Sequence, residues 1–85
     1  MIEIKYHPRA IKFLRKISKK ESEKILITIE QLPKSKTTGN LDIKKLINTK
    51  RTWRLRIGNI RVVYEYDIEA KIIYIHDIDF RGNIY

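Results

Sequence analysis

Three arginines carry the chemistry this sequence is equipped to do. In Thr52-Trp53-Arg54-Leu55-Arg56-Ile57 the side chains of an extended strand alternate, so Trp53, Leu55 and Ile57 point one way and Arg54 and Arg56 the other. After Gly58-Asn59 the alternation resumes, with Ile60, Val62 and Tyr64 against Arg61 and Val63. Gly58-Asn59 fits a two-residue hairpin loop with glycine at the first central position. That loop predicts a register in which Ile57 opposes Ile60, Arg56 opposes Arg61, Leu55 opposes Val62, Arg54 opposes Val63 and Trp53 opposes Tyr64. The two apolar faces then coincide, as a half-buried hairpin requires. Three guanidinium groups share the other face, two of them directly across from each other. Like charges in that position are unfavourable. Two charges about 5 Å apart at a surface repel by roughly 1 to 3 kcal/mol. An anion bridging them would relieve this, and guanidinium is planar, always charged and bidentate toward phosphate. The competing explanation is internal: Glu65, Asp67, Asp77 or Asp79 neutralises the arginines.

The rest of the charge points the same way. The chain of 85 residues carries a formal +9 and has a pI near 9.9. No acidic residue occurs in 4–20 or in 43–64, whereas acids gather in 21–30 and 65–79. Segregated positive charge favours a polyanionic partner. The binding candidates are Lys12, Lys16 and Lys19 in the first basic stretch, and Lys44, Lys45, Lys50 and Arg51 in the second. The length implies one domain over 1–85. With no cysteine, thiol catalysis and zinc ribbons are excluded. Two histidines far apart, at 7 and 76, argue against a metal site, and three scattered glycines against a phosphate-cradling loop. No apolar run approaches a membrane span and no secretory h-region opens the chain, so the expected location is cytoplasmic, without membrane, cofactor or metal.

These residues need a scaffold, and the periodicity supplies one. Ile2, Ile4 and Tyr6 alternate with polar residues as a short strand. Pro8 suits the first turn of a helix whose apolar stripe is Ala10, Phe13, Leu14 and Ile17, with the lysines off the stripe. Ser18 and Glu21 have capping-box spacing for a second helix with core positions Ile25, Leu26, Ile29 and Leu32, ended by Pro33. Ile27 falls off that stripe. The stretch 34–42 reads as a loop. Strands are then expected over 43–47, 52–57, 60–66 and 71–78, with turns at 48–51 and 67–70. His76 is expected to alternate with Tyr74 and Ile78 as a packed, hydrogen-bonded histidine, and His7 to cap or face solvent at the strand-to-helix junction. Trp53, Tyr64 and Tyr66 read as core. The predicted fold is α+β: an N-terminal strand and an antiparallel helical hairpin packed on one face of a twisted, largely antiparallel sheet of four to five strands.

The stretch Trp53-Arg54-Leu55-Arg56-Ile57-Gly58-Asn59-Ile60-Arg61-Val62-Val63-Tyr64-Glu65 resembles the central signature of the RelE/ParE superfamily of toxin–antitoxin toxins. Arg9-Ala10-Ile11-Lys12-Phe13-Leu14-Arg15-Lys16-Ile17, Lys44-Lys45-Leu46 and the ending Phe80-Arg81-Gly82-Asn83-Ile84-Tyr85 extend the likeness over nearly the whole chain. Phe80 stands where the family usually has histidine. The resemblance implies a RelE-like toxin that cuts mRNA in the ribosomal A site, with the ribosome and mRNA as partners. An acidic, RelB-like antitoxin would block it. It also implies catalytic roles for Arg54, Arg56, Arg61, Arg81 and Tyr85. Metal-free RNA cleavage has the ribose 2′-OH attack the neighbouring phosphate. The arginines would stabilise the pentacoordinate phosphate and orient the strand. A pKa above 12 makes arginine a poor base. Tyr85 is left as a candidate base or, preferred here, as a group that stacks on or positions a nucleobase. Two rivals stand beside this reading: a non-catalytic, ParE-like inhibitor of DNA gyrase, and an inactive RNA-binding relative.

Overall fold

The computed structural model describes residues 2–34 and 41–80. Strand β1 spans Glu3–Tyr6, helix α1 Pro8–Lys16 and helix α2 Lys19–Glu30. A short 3-10 turn, Leu32–Lys34, follows, and then β2 (Asp42–Lys45), β3 (Thr52–Ile57), β4 (Ile60–Asp67) and β5 (Ile72–Phe80). The five strands form one sheet in the order β1-β5-β4-β3-β2. Only β1 runs parallel to its neighbour; the other three pairings are antiparallel. Of the loop expected over 34–42, residues 35–40 lie outside the described residues; at its ends Lys34 closes the 3-10 turn and Asp42 already pairs with Arg56 as the first residue of β2.

Local chemistry starts both helices. His7 caps α1: its Nδ1 accepts from the backbone N–H of Arg9 at 3.0 Å, and Pro8 occupies the first turn, where no donor is missed. Ser18 caps α2 by accepting from the Glu21 N–H at 3.2 Å, and its hydroxyl also donates to Glu21 at 3.4 Å. Arg15 and Lys16 close α1, where cations suit the negative end of the helix dipole. Only Ile17 and Ser18 separate the helices, so the chain doubles back at once. Their buried residues, Ala10, Phe13, Ile25 and Ile29, share one core with Leu55, Ile60, Val62, Tyr64, Ile73, Ile75 and Ile78 of the sheet. Trp53 and Tyr66 pack at its margin, and Ile27 stands out in solvent, as expected from its place off the stripe.

The β3–β4 register matches the sequence reading pair for pair, from Trp53↔Tyr64 to Ile57↔Ile60. Gly58 has φ +59° while Asn59 stays at negative φ, the sign pattern of a type II′ turn. The β4–β5 pairing departs from simple alternation. Val63 faces Asp77 but Tyr64 faces Ile75, so His76 is an extra, bulged residue. The expectation that His76 alternates with Ile78 is therefore corrected. Ile73 and Ile75 enter the core before the bulge and Ile78 after it. Strict alternation would have driven Asp77 and Asp79 into that core. The bulge turns them to the face that carries the arginines.

Leu55 is fully buried at the centre of the core, so Leu55→Ala should cost about 2 to 5 kcal/mol of stability, read as a lower urea midpoint with unchanged slope. Burial, with a smaller contribution from Tyr66, pushes the Tyr64 phenol up to about 12 from its ordinary value of 10. The unfolded chain then ionises this group before the folded one does. Its stabilising contribution is complete below about pH 10 and is lost as pH rises towards 12. Tyr64→Phe should flatten that part of the alkaline stability profile, measured by urea unfolding at stepped pH.

Candidate functional site

Across the face of the sheet turned away from the helices, the pairing sets side chains in rungs. One rung reads Asp42, Arg56, Arg61, Asp79 across β2, β3, β4 and β5; the next reads Lys44, Arg54, Val63, Asp77. The three arginines of the sequence analysis thus meet on one surface, with Arg56 and Arg61 directly opposed. Arg54 and Arg61 are buried, at 4% and 5% exposure, and Arg56 is partly open. Cations seldom sit so deep unless a partner compensates them.

Part of the compensation is Asp42, which the sequence analysis missed. One of its carboxylate oxygens lies 3.4 Å from Arg54 Nη2 and the other 3.8 Å from Arg56 Nη1. A single carboxylate therefore spans two guanidinium groups. Continuing the alternation of β2 back by one residue would have revealed it. Its side chain is 55% exposed, so each contact is weak. Three of the acids weighed as internal partners make other contacts. Glu65 contacts His76 at 3.3 Å, Asp67 pairs with Arg51 at 3.1 Å, and Asp79 accepts from the Phe80 N–H at 2.7 Å. The Nε groups of Arg54 and Arg56 are buried and find no acceptor among the described residues. Buried N–H groups are otherwise almost always paired, so these two are unusual and could donate to an anion that reached them.

The basic candidates divide by position. Lys44, Lys45, Arg54 and Arg56 line a cleft of about 350 Å³ beside the arginines. Lys44 shares their face, whereas Lys45 pairs with Trp53 on the other and places its Nζ 6.0 Å from the indole centroid. Lys12 and Lys16, with Arg9, rim a separate cleft of about 190 Å³ against Asp77 and Asp79, and Lys19 is exposed at the start of α2. Lys50 and Arg51 lie at the far end of β3, where Arg51 is tied to Asp67. They do not join the arginine group. Phe80, at the position of the family histidine, packs edge-on against Phe13 at 5.3 Å and so pins the end of β5 to α1. Arg81 and Tyr85 lie outside the described residues.

A helical pair on one face of a five-stranded sheet, with a basic cluster on the other, defines a RelE-like toxin domain, and known structures agree. The archaeal RelE of the RelE–RelB complex from Pyrococcus horikoshii OT3 is 26% identical, with a TM-score of 0.78 over 96% of this chain and 97% of that one. The toxin of the RelB–RelE complex from Methanococcus jannaschii is 24% identical, with a TM-score of 0.75 over 95% and 94%. The isolated E. coli RelE toxin is 16% identical, also with a TM-score of 0.75, over 94% and 84%. Curated proteins gave no match. A family model described as the ParE toxin of the type II toxin–antitoxin system parDE matches residues 4–85, and the chain belongs to that family, within the RelE/ParE superfamily.

If Asp42 occupies the guanidinium groups as a weak internal anion, neutralising it should favour an external one. Asp42→Asn is expected to tighten binding of a labelled single-stranded RNA by about two- to fivefold at low salt, measured by fluorescence anisotropy. Unchanged or weaker binding would mean that the carboxylate does not compete.

Proposed function

We propose that this toxin is a ribosome-dependent mRNA endoribonuclease that inhibits translation and is held inactive by an acidic, RelB-like antitoxin. The observation that carries the reading is the convergence of Arg54, Arg56 and Arg61 on one face, with buried Nε donors on Arg54 and Arg56 that have no acceptor among the described residues. Such a group suits a phosphate that gains negative charge during the reaction. The 2′-OH attacks the adjacent phosphorus, the P–O5′ bond breaks, and a 2′,3′-cyclic phosphate and a 5′-hydroxyl result. Fixed guanidinium donors stabilise the pentacoordinate phosphate without reorganising. No metal is required for these steps. Asp42 holds Arg54 and Arg56 at a common point before substrate arrives.

The proton transfers need other groups. Arg81 and Tyr85 are proposed from the family motif, Tyr85 to stack on or position a base. Lys44 and Lys45, beside the arginines, would guide the RNA backbone. Lys12, Lys16 and Lys19 would meet ribosomal RNA, with Lys50 and Arg51 as a more distant contact. Complexes with RelB in the archaeal and E. coli relatives support an antitoxin partner here, docked by charge complementarity. A cytoplasmic site of action follows from the ribosomal substrate; among the described residues no helix is long and apolar enough to cross a membrane.

The matching family model favours one alternative, a ParE-like toxin that binds gyrase and does not cut RNA. Primer extension on ribosome-bound mRNA separates the two. The toxin should generate new 5′ ends, and Arg61→Ala should reduce them by about a hundredfold or more while circular dichroism stays native. Full cutting by that variant would remove Arg61 from the mechanism. Gyrase-dependent DNA breaks with intact mRNA would establish the alternative.

A further inference from the structure

The face that carries the arginines holds a second feature the cleavage chemistry does not use. Beyond Arg61 and Val63, β4 presents Glu65 and Asp67 on the same side. These two, with Ile72, Tyr74 and His76 of β5 and the capping residue His7, line a cleft of about 490 Å³. That volume is in the range of small-molecule sites. One wall is aromatic. The Tyr74 and His76 rings lie 4.8 Å apart, and His7 meets Tyr74 edge-on at 6.5 Å.

The polar groups narrow the guest. Both oxygens of Asp67 are engaged, one by the Ala70 N–H at 3.0 Å and the other by Arg51 at 3.1 Å. Glu65 Oε1 contacts His76 Nε2 at 3.3 Å, while its Oε2 receives no hydrogen bond among the described residues. The cleft therefore offers flat rings, an isoleucine and one half-open carboxylate. A cationic side chain would have to compete with Arg51 and His76 for these acids. A phosphate would be repelled by them. A flat, neutral guest can stack on the rings and donate to the open oxygen without displacing Arg51 or His76.

We propose that this cleft binds a nucleobase of the RNA strand, and that guanine fits it best. Splayed bases are recognised in this way, by stacking on aromatic rings and by hydrogen bonds along the Watson–Crick edge. Guanine carries two adjacent donors on that edge: one meets the open Oε2 of Glu65, and the other shares Oε1 with His76 through that oxygen's second lone pair. The position suits a strand held elsewhere on the sheet. Glu65 follows Arg61 by four residues along β4, about 13 Å at the usual strand rise. A short extended RNA covers that distance with a phosphate at the arginine end and a base at the carboxylate end. The proposal rests on the reading of this chain as an RNA-directed toxin and adds a specificity site to it.

The test uses backbone amide NMR of the intact toxin with three separate probes: guanosine, uridine and inorganic phosphate. Guanosine should shift the signals of Glu65, Ile72, Tyr74 and His76, uridine should bind more weakly, and phosphate should act only at the arginines. Glu65→Gln should weaken guanosine about tenfold, since the new amide sets a donor against a donor, and Tyr74→Leu should remove binding. Guanosine that leaves these signals still, or shifts them equally in Tyr74→Leu, overturns the pocket. Primer extension with the parent toxin keeps the two claims apart. Cutting without guanosine binding sinks only the pocket, and guanosine binding without cutting upholds the pocket while sinking the nuclease.

Discussion

The register of the β3–β4 hairpin is the constraint on which the site depends. Its apolar residues must all face the helices, and the type II′ turn at Gly58-Asn59 lets them do so without a slip. Once Leu55 and Val62 are committed to the core, Arg56 and Arg61 have no choice but to oppose each other on the far side. A one-residue slip would bring the arginines into the core and the leucine out, a far larger penalty than the repulsion between two guanidinium groups. Hydrophobic burial thus holds together charges that would separate if free. This is how a small fold keeps an electrostatic site organised before any anion arrives.

The bulge at His76 does comparable work on β5. It shifts the alternation by one, so that Ile73, Ile75 and Ile78 all reach the core while Asp77 and Asp79 reach the opposite face. The acids then sit in the same rungs as Val63 and Arg61. Along β4 itself this face runs from Arg61 through Val63 to Glu65 and Asp67, from cation to anions. A nucleic acid laid along β4 would feel opposite preferences at its two ends, which favours one direction of binding over the other.

The pattern of residues made much of this legible. Alternation and the turn dipeptide were enough for the hairpin pairing, because both are local and both agree. Proline and serine spacing were enough for the helix starts, for the same reason. What escaped was non-local. Nothing near His76 marks a bulge, which arises from the match between two strands rather than from one. Asp42 escaped because it adjoins a polar stretch that reads as loop, and its role appears only when β2 is laid beside β3. The Glu65–His76 contact escaped for a related reason: it joins residues eleven positions apart on two strands, and only their register brings them together.

On the first rung two arginines lie between two aspartates. Asp42 is shared between Arg54 and Arg56, and one oxygen of Asp79 is turned to the Phe80 N–H. More complete internal pairing would stabilise the toxin and blunt it, since an incoming phosphate would have to displace a buried ion pair. Less pairing would leave the buried guanidinium groups too costly for a core this small. A weak, half-exposed carboxylate lies between these limits. It keeps the fold intact while remaining easy to outcompete. On the proposed reading, both the substrate phosphate and the carboxylates of an acidic antitoxin can do that, which makes inhibition and catalysis rivals for the same donors.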